Sequence, residues 1–169
     1  MSLDVWPLID AERLDLADLL DSLAADEWDH RSLCEAWNVR DVVGHLLWVP
    51  SVKLASFLPK LVAARLNVDR AIDHIARSAG QRPIDDLRAD YRRLVGDRRL
   101  PQRTVASGVL ADMIVHHQDI RRALQRPRTV PAERISVALA AYAPQAGSGS
   151  EVCNCALTMS PGPTGRGRW

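Results

Sequence analysis

The chain has 169 residues, of which 47% are hydrophobic and 25% charged, and a formal net charge of +1. That length suits one domain whose core stands without disulfides, and three cysteines make no disulfide framework. The near-zero charge argues against nucleic acid or a membrane surface as partner, and the lack of an apolar span or basic leader makes a cytoplasmic location the expectation.

The spacing of Leu8, Ile9, Leu16, Leu19, Leu20 and Leu23 predicts a first helix over 6–25, with Pro7 in its first turn. Residues 26–37 read as a connector anchored by Trp28, Leu33 and Trp37. Asn38 then reads as an N-cap, with Asp41 three residues on as a variant of the capping box. Val39, Val42, Val43, Leu46 and Leu47 follow as one apolar face. Pro50 kinks or ends this second helix, because proline lacks the N–H and crowds the preceding turn. Further helices are expected over 51–66, 68–79, 83–95, 104–124 and 131–142, with Gly80 and Arg126-Pro127-Arg128 as stops.

No segment alternates apolar and polar residues as a half-buried strand does, so the core is all-α, four principal helices being the economical solution. Residues 146–169 break the pattern. They are rich in Gly, Ser and Pro, show no periodicity and read as an irregular or disordered tail. The expected organisation is a helical domain over 1–145 and this tail over 146–169. Arginines gather at 98, 99 and 103 and again at 121, 122, 126 and 128, as solvated helix ends or as a site for an anionic group.

Asp112 and His116 stand four apart on the helix over 104–124, so both project from one face, with Cβ atoms about 5–6 Å apart. That spacing lets both reach one divalent ion. His45, set in an apolar helical run where an unpaired imidazole is costly, is the candidate for a third ligand. Three protein ligands with an open position describe a catalytic rather than a structural site. Spacing alone leaves the bland reading open, in which these are hydrogen-bonded core histidines. His117 points about 100° away and reads as a rim or structural residue. Asp119 reads as part of a helix-end ion pair or as a group that orients a ligand. Cys34 reads as a small buried hydrophobe or as a reactive thiol. Cys153 and Cys155 lack partner ligands.

Three segments together carry a resemblance: Ser32-Leu33-Cys34, Trp37-Asn38-Val39-Arg40-Asp41-Val42-Val43-Gly44-His45-Leu46, and Asp112-Met113-Ile114-Val115-His116-His117-Gln118-Asp119-Ile120-Arg121-Arg122. Over about 8–142 the chain resembles the mycothiol-dependent maleylpyruvate isomerase family, at its N-terminal metal-binding domain. The resemblance implies a DinB-like up-down four-helix bundle, here with short extra helices. It implies a divalent metal, usually zinc, on His45, Asp112 and His116, although such ligands also suit iron, nickel or manganese. The acid is often glutamate in the family, and aspartate is one methylene shorter. It further implies mycothiol as thiol cosubstrate, activated by the metal for attack on a small electrophilic substrate, in an isomerase or a thiol S-transferase. The alternative is a non-catalytic helical bundle, binding a metal or a partner, that keeps the fold without turnover.

The tail departs from this family pattern, which continues into further folded sequence. A frameshifted C-terminus is one reading of the compositional break.

Overall fold

A computed structural model describes residues 4–34, 36–51, 54–101 and 104–142. Among them are helices α1 (Trp6–Ser22), α2 (Val39–Trp48), α3 (Leu54–Ala63), α4 (Val68–Gly80), α5 (Ile84–Arg93), α6 (Ala106–Ala123) and α7 (Ala132–Tyr142). Two 3-10 turns, Asp26–Asp29 and Val49–Ser51, complete the elements, and the described residues contain no strand. The all-helical expectation therefore holds. The boundary expected at 145 and the tail with Cys153 and Cys155 lie outside the described residues. No described helix is long and apolar enough to cross a membrane.

The periodic residues of the sequence form the core. Ile9, Leu16 and Leu20 of α1 meet Val39, Val42, Val43 and Leu46 of α2, Leu87 of α5, and Val109, Leu110, Met113 and Ile120 of α6. Trp28 of the first 3-10 turn is fully buried among them.

Where α1 ends is a tertiary matter. It stops at Ser22 rather than running on to Ala25. Arg88 of α5 donates from Nε to the Leu20 carbonyl at 3.1 Å and from Nη2 to that of Leu23 at 2.6 Å, satisfying acceptors that another turn would have used.

α2 starts as its sequence predicts. Asn38 is extended, and its amide donates to Asp41 Oδ2 at 3.1 Å. The helix then presses against α4 at two glycines. A Cβ on Gly44 would lie 2.5 Å from the Ala76 carbonyl oxygen, and one on Gly80 would lie 2.7 Å from Asp41 Oδ1. Arg40 closes the contact, donating from Nε to the Gly80 carbonyl at 2.5 Å and from Nη2 to that of Arg82 at 3.0 Å.

On the other side, α1 is tied to α6 and α7 through a buried carboxylate. Glu12 accepts from His117 Nδ1 at 2.8 Å, from Arg134 Nη1 at 2.8 Å and from Arg128. Arg121 Nε donates to His117 Nε2 at 2.8 Å. An imidazole that accepts at Nε2 and donates at Nδ1 is neutral, which fixes the tautomer. Arg121 and Arg128 are thus committed to this cluster, not to solvent.

Candidate metal centre

α2 brings His45 to the face of α6 that carries Asp112 and His116. Asp112 Oδ2 lies 3.7 Å from His45 Nε2, and its Oδ1 lies 3.5 Å from His116 Nε2. One ligand atom from each residue falls within a sphere of contacts no wider than 4.8 Å. Separations of 3.5 and 3.7 Å are long for hydrogen bonds. They are close to the ~3.3 Å that separates donors on a tetrahedral ion with bonds of about 2.0–2.1 Å. The residues therefore fit a small divalent cation in donor type and in spacing. Asp112 reaches both imidazoles despite its short side chain.

Both imidazoles are sheltered, while the Asp112 side chain retains 36% of its exposure, so the cluster opens on its carboxylate side. Trp37 forms a wall. Its ring centroid lies 5.1 Å from that of His45 and 5.9 Å from that of His116, and its Nε1 donates to Asp73 of α4 at 2.9 Å.

The far nitrogen of His116 is also occupied. Nδ1 lies 3.3 Å from Asp119 Oδ2 and 3.5 Å from Cys34 Sγ, and the Cys34 thiol donates to the same Asp119 oxygen at 3.1 Å. Asp119 thus occupies the His116 nitrogen that points away from Asp112. A carboxylate on one imidazole nitrogen fixes the tautomer in which the other can accept a cation. Cys34, Asp119 and His116 also satisfy the spacing of a second three-ligand group that shares His116. The loop bearing Cys34 is pinned to α6, because Leu33 N–H donates to the Asp119 carbonyl at 3.2 Å.

Burial opposes ionisation of Asp112, but the pull of His116 and His45 outweighs it and holds the carboxyl well below the usual carboxylate range. Burial likewise opposes charge on His116. Asp112, Asp119 and Cys34 outweigh it, so in the metal-free site the ring titrates well above its ordinary value. Burial is the largest influence on the Cys34 thiol and pushes it up, so the sulfur stays protonated and donates to Asp119. Nδ1 of His45 is buried without a hydrogen-bond partner among the described residues.

The structure brings the expected His45, Asp112 and His116 together, and Trp37 packs against the core as an anchor while also standing over both imidazoles. The position of Cys34 just before the α2 cap is the one sequence signal for its place beside His116. Of the two readings of His117, rim or structural, the structural one holds: it is 0% exposed and serves the Glu12 cluster. His30 and His74 are exposed and lie apart from the cluster.

A family model described as the mycothiol maleylpyruvate isomerase N-terminal domain matches residues 9–121, which is more than half of the chain. The match spans all three residues of the cluster. Searches of curated proteins and of solved structures return no significant match.

Proposed function

The chain belongs to the mycothiol maleylpyruvate isomerase N-terminal domain family, and on that premise we propose that it is a divalent-metal protein acting with a low-molecular-weight thiol on a small electrophilic substrate. His45, Asp112 and His116 are the ligands in this reading, with zinc the proposed metal because the family resemblance implies it. Bound there, the metal supplies the positive charge that keeps a thiol such as mycothiol in its thiolate form near neutral pH. The family supports isomerisation or thiol transfer as the reaction class, and a DinB-like up-down bundle as the helical arrangement.

The observation that carries the reading is the convergence of His45 Nε2, the Asp112 carboxylate and His116 Nε2 at ligand-like spacing. The chain's own residues then divide the work. His45 and His116 offer neutral nitrogen donors, Asp119 turns His116 so that Nε2 faces the site, and Trp37 closes one side against water. Asp112, half-buried and the most accessible of the three, leaves the approach open to thiol and substrate.

Zinc analysis of the reconstituted protein, with His45→Ala and His116→Ala alongside, tests the site. Stoichiometric zinc that is lost in both variants is the expected result, and no bound metal in the parent protein sinks the reading. A screen for activity with mycothiol against glutathione then tests turnover. Zinc without thiol-dependent activity leaves the second reading, a non-catalytic bundle. That reading draws on the Asp112 contacts to both imidazoles, which compensate these buried groups without an ion.

A further inference from the structure

His116 stands between two carboxylates. Asp112 Oδ1 lies 3.5 Å from its Nε2, and Asp119 Oδ2 lies 3.3 Å from its Nδ1. The Nε2 side is the site proposed above. The Nδ1 side carries a thiol as well as a carboxylate, so each nitrogen of one ring meets its own set of metal-capable groups.

Three atoms close a triangle on the Nδ1 side. Cys34 Sγ is 3.1 Å from Asp119 Oδ2, that oxygen is 3.3 Å from His116 Nδ1, and Nδ1 is 3.5 Å from Sγ. Hydrogen bonds account for only two of these edges. The thiol and the imidazole N–H each bring one proton, and both donate to Asp119, so the edge between sulfur and nitrogen has none. A cation among them would serve all three atoms at once. Tetrahedral bonds of about 2.0–2.3 Å hold such donors about 3.4–3.6 Å apart, so no edge needs to open by more than about 0.5 Å.

Donor type separates the two sides. His45, Asp112 and His116 offer nitrogen and oxygen, whereas Cys34 adds a soft sulfur that favours a thiophilic ion. Cys34 is half-buried, and the Asp119 side chain keeps 20% of its exposure, which leaves an ion a way in.

The shared ring makes the two sides exclusive. A neutral imidazole has one lone pair for a cation, and its other nitrogen holds the proton. An ion on Nε2 leaves the Nδ1 proton with Asp119. An ion on Nδ1 puts that proton on Nε2, where Asp112 accepts it, and the thiol proton leaves to solvent.

We infer that Cys34, His116 and Asp119 form a second metal site, selective for a soft, thiophilic cation, and that the tautomer of His116 lets only one of the two sites fill at a time. The Cys34 site stands without the proposed reading of His45, and the exclusion rests on that reading.

The probe is cadmium(II), added to metal-free protein carrying Cys153→Ser and Cys155→Ser, which leaves Cys34 as its one cysteine. The expected result is an ultraviolet thiolate-to-cadmium charge-transfer band that saturates at one ion per chain. Asp119→Asn is expected to weaken cadmium binding by more than about 100-fold, beyond the loss of an orienting partner. With cobalt(II) bound first, cadmium is expected to expel it as the band grows. In protein with labelled histidine, the cadmium resonance is expected to couple to His116 Nδ1. No saturable band, or full cadmium affinity in Asp119→Asn, overturns the Cys34 site. A cadmium resonance coupled to no imidazole overturns it without any variant of its ligands. Cobalt bound in a protein that gives no cadmium band leaves the His45 reading standing alone. A cadmium band in a protein that takes up no cobalt removes the His45 reading and keeps the Cys34 site. Cobalt and cadmium held together overturn the exclusion.

Discussion

His116 and His117 are consecutive on α6 and serve separate polar clusters: His116 faces Asp112 and Asp119, while His117 donates to Glu12 and accepts from Arg121. A helix turns about 100° per residue, so one pair of histidines reaches both the site and the buried ionic frame that holds α6 to α1. The two rings are pushed in opposite directions. Burial lowers His117 from its ordinary value, whereas the carboxylates around His116 overcome burial and raise it.

Metal uptake should therefore release protons. His116 titrates above its ordinary value in the metal-free site, so it carries a proton at pH 7 that an ion must displace. Calorimetry of zinc binding in buffers of different ionisation enthalpy is expected to report release of about one proton, with affinity rising as pH rises through the raised value. Proton-neutral binding at pH 7 would contradict this assignment.

In the proposed site Asp119 acts through His116 and does not bind the ion. Asp119→Asn is expected to lower zinc affinity about 10–100-fold while leaving stoichiometry intact, the usual cost of losing an orienting partner. Competition with a chelator measures it. Complete loss of binding would instead make Asp119 a ligand.

Two candidate ligand groups share His116, and Cys34 separates them. The group with His45 and Asp112 contains no sulfur. Cobalt(II) in the zinc position is expected to give no thiolate-to-metal charge-transfer band, and Cys34→Ala is expected to keep full metal content. A strong near-ultraviolet band lost in Cys34→Ala would move the ion to Cys34, His116 and Asp119.

The Glu12 cluster sets the response to acid. Burial opposes ionisation of Glu12, but His117 and the two arginines outweigh it and lower the carboxyl to about 2 from 4.5. A depressed carboxylate contributes stability above its unfolded value that is lost as pH falls through the folded one. His117, lowered from 6.5, works in the same sense, because the unfolded chain takes up its proton first. Stability of the metal-free protein is expected to decline from about pH 6.5 downward and to fall further below about pH 4.5. Glu12→Gln should cost about 3–5 kcal/mol at pH 7, as for a broken buried ion pair, and should flatten that acid limb in denaturant titrations.

Gly44 is a packing requirement. With a Cβ placed 2.5 Å from the Ala76 carbonyl oxygen, Gly44→Ala must push α2 away from α4. The expected cost is about 1–3 kcal/mol by chemical denaturation, with a loss of zinc affinity because His45 follows directly on α2. An unchanged midpoint and affinity would show that α4 can yield.

Much of the molecule was legible in order. Apolar spacing marks the helices, Asn38 with Asp41 marks the start of α2, and Pro50 marks its end, because these are local rules of backbone hydrogen bonding. The i, i+4 relation of Asp112 and His116 is equally local. What the sequence by itself determined is therefore an all-helical chain with a ligand-capable pair on one helix face. Tertiary structure decided the rest. The α2 approach, made close by Gly44 and Gly80, brings His45 to that pair, and the loop pinned by Leu33 to α6 brings Cys34 to His116 and Trp37 over both rings. It also made His117, Arg121 and Arg128 a buried frame around Glu12, deciding for His117 between the rim and structural readings that the sequence left open. Contacts between residues so far apart in the chain leave no periodicity to read, because they depend on how closely two helices pack and which side chains meet at that distance.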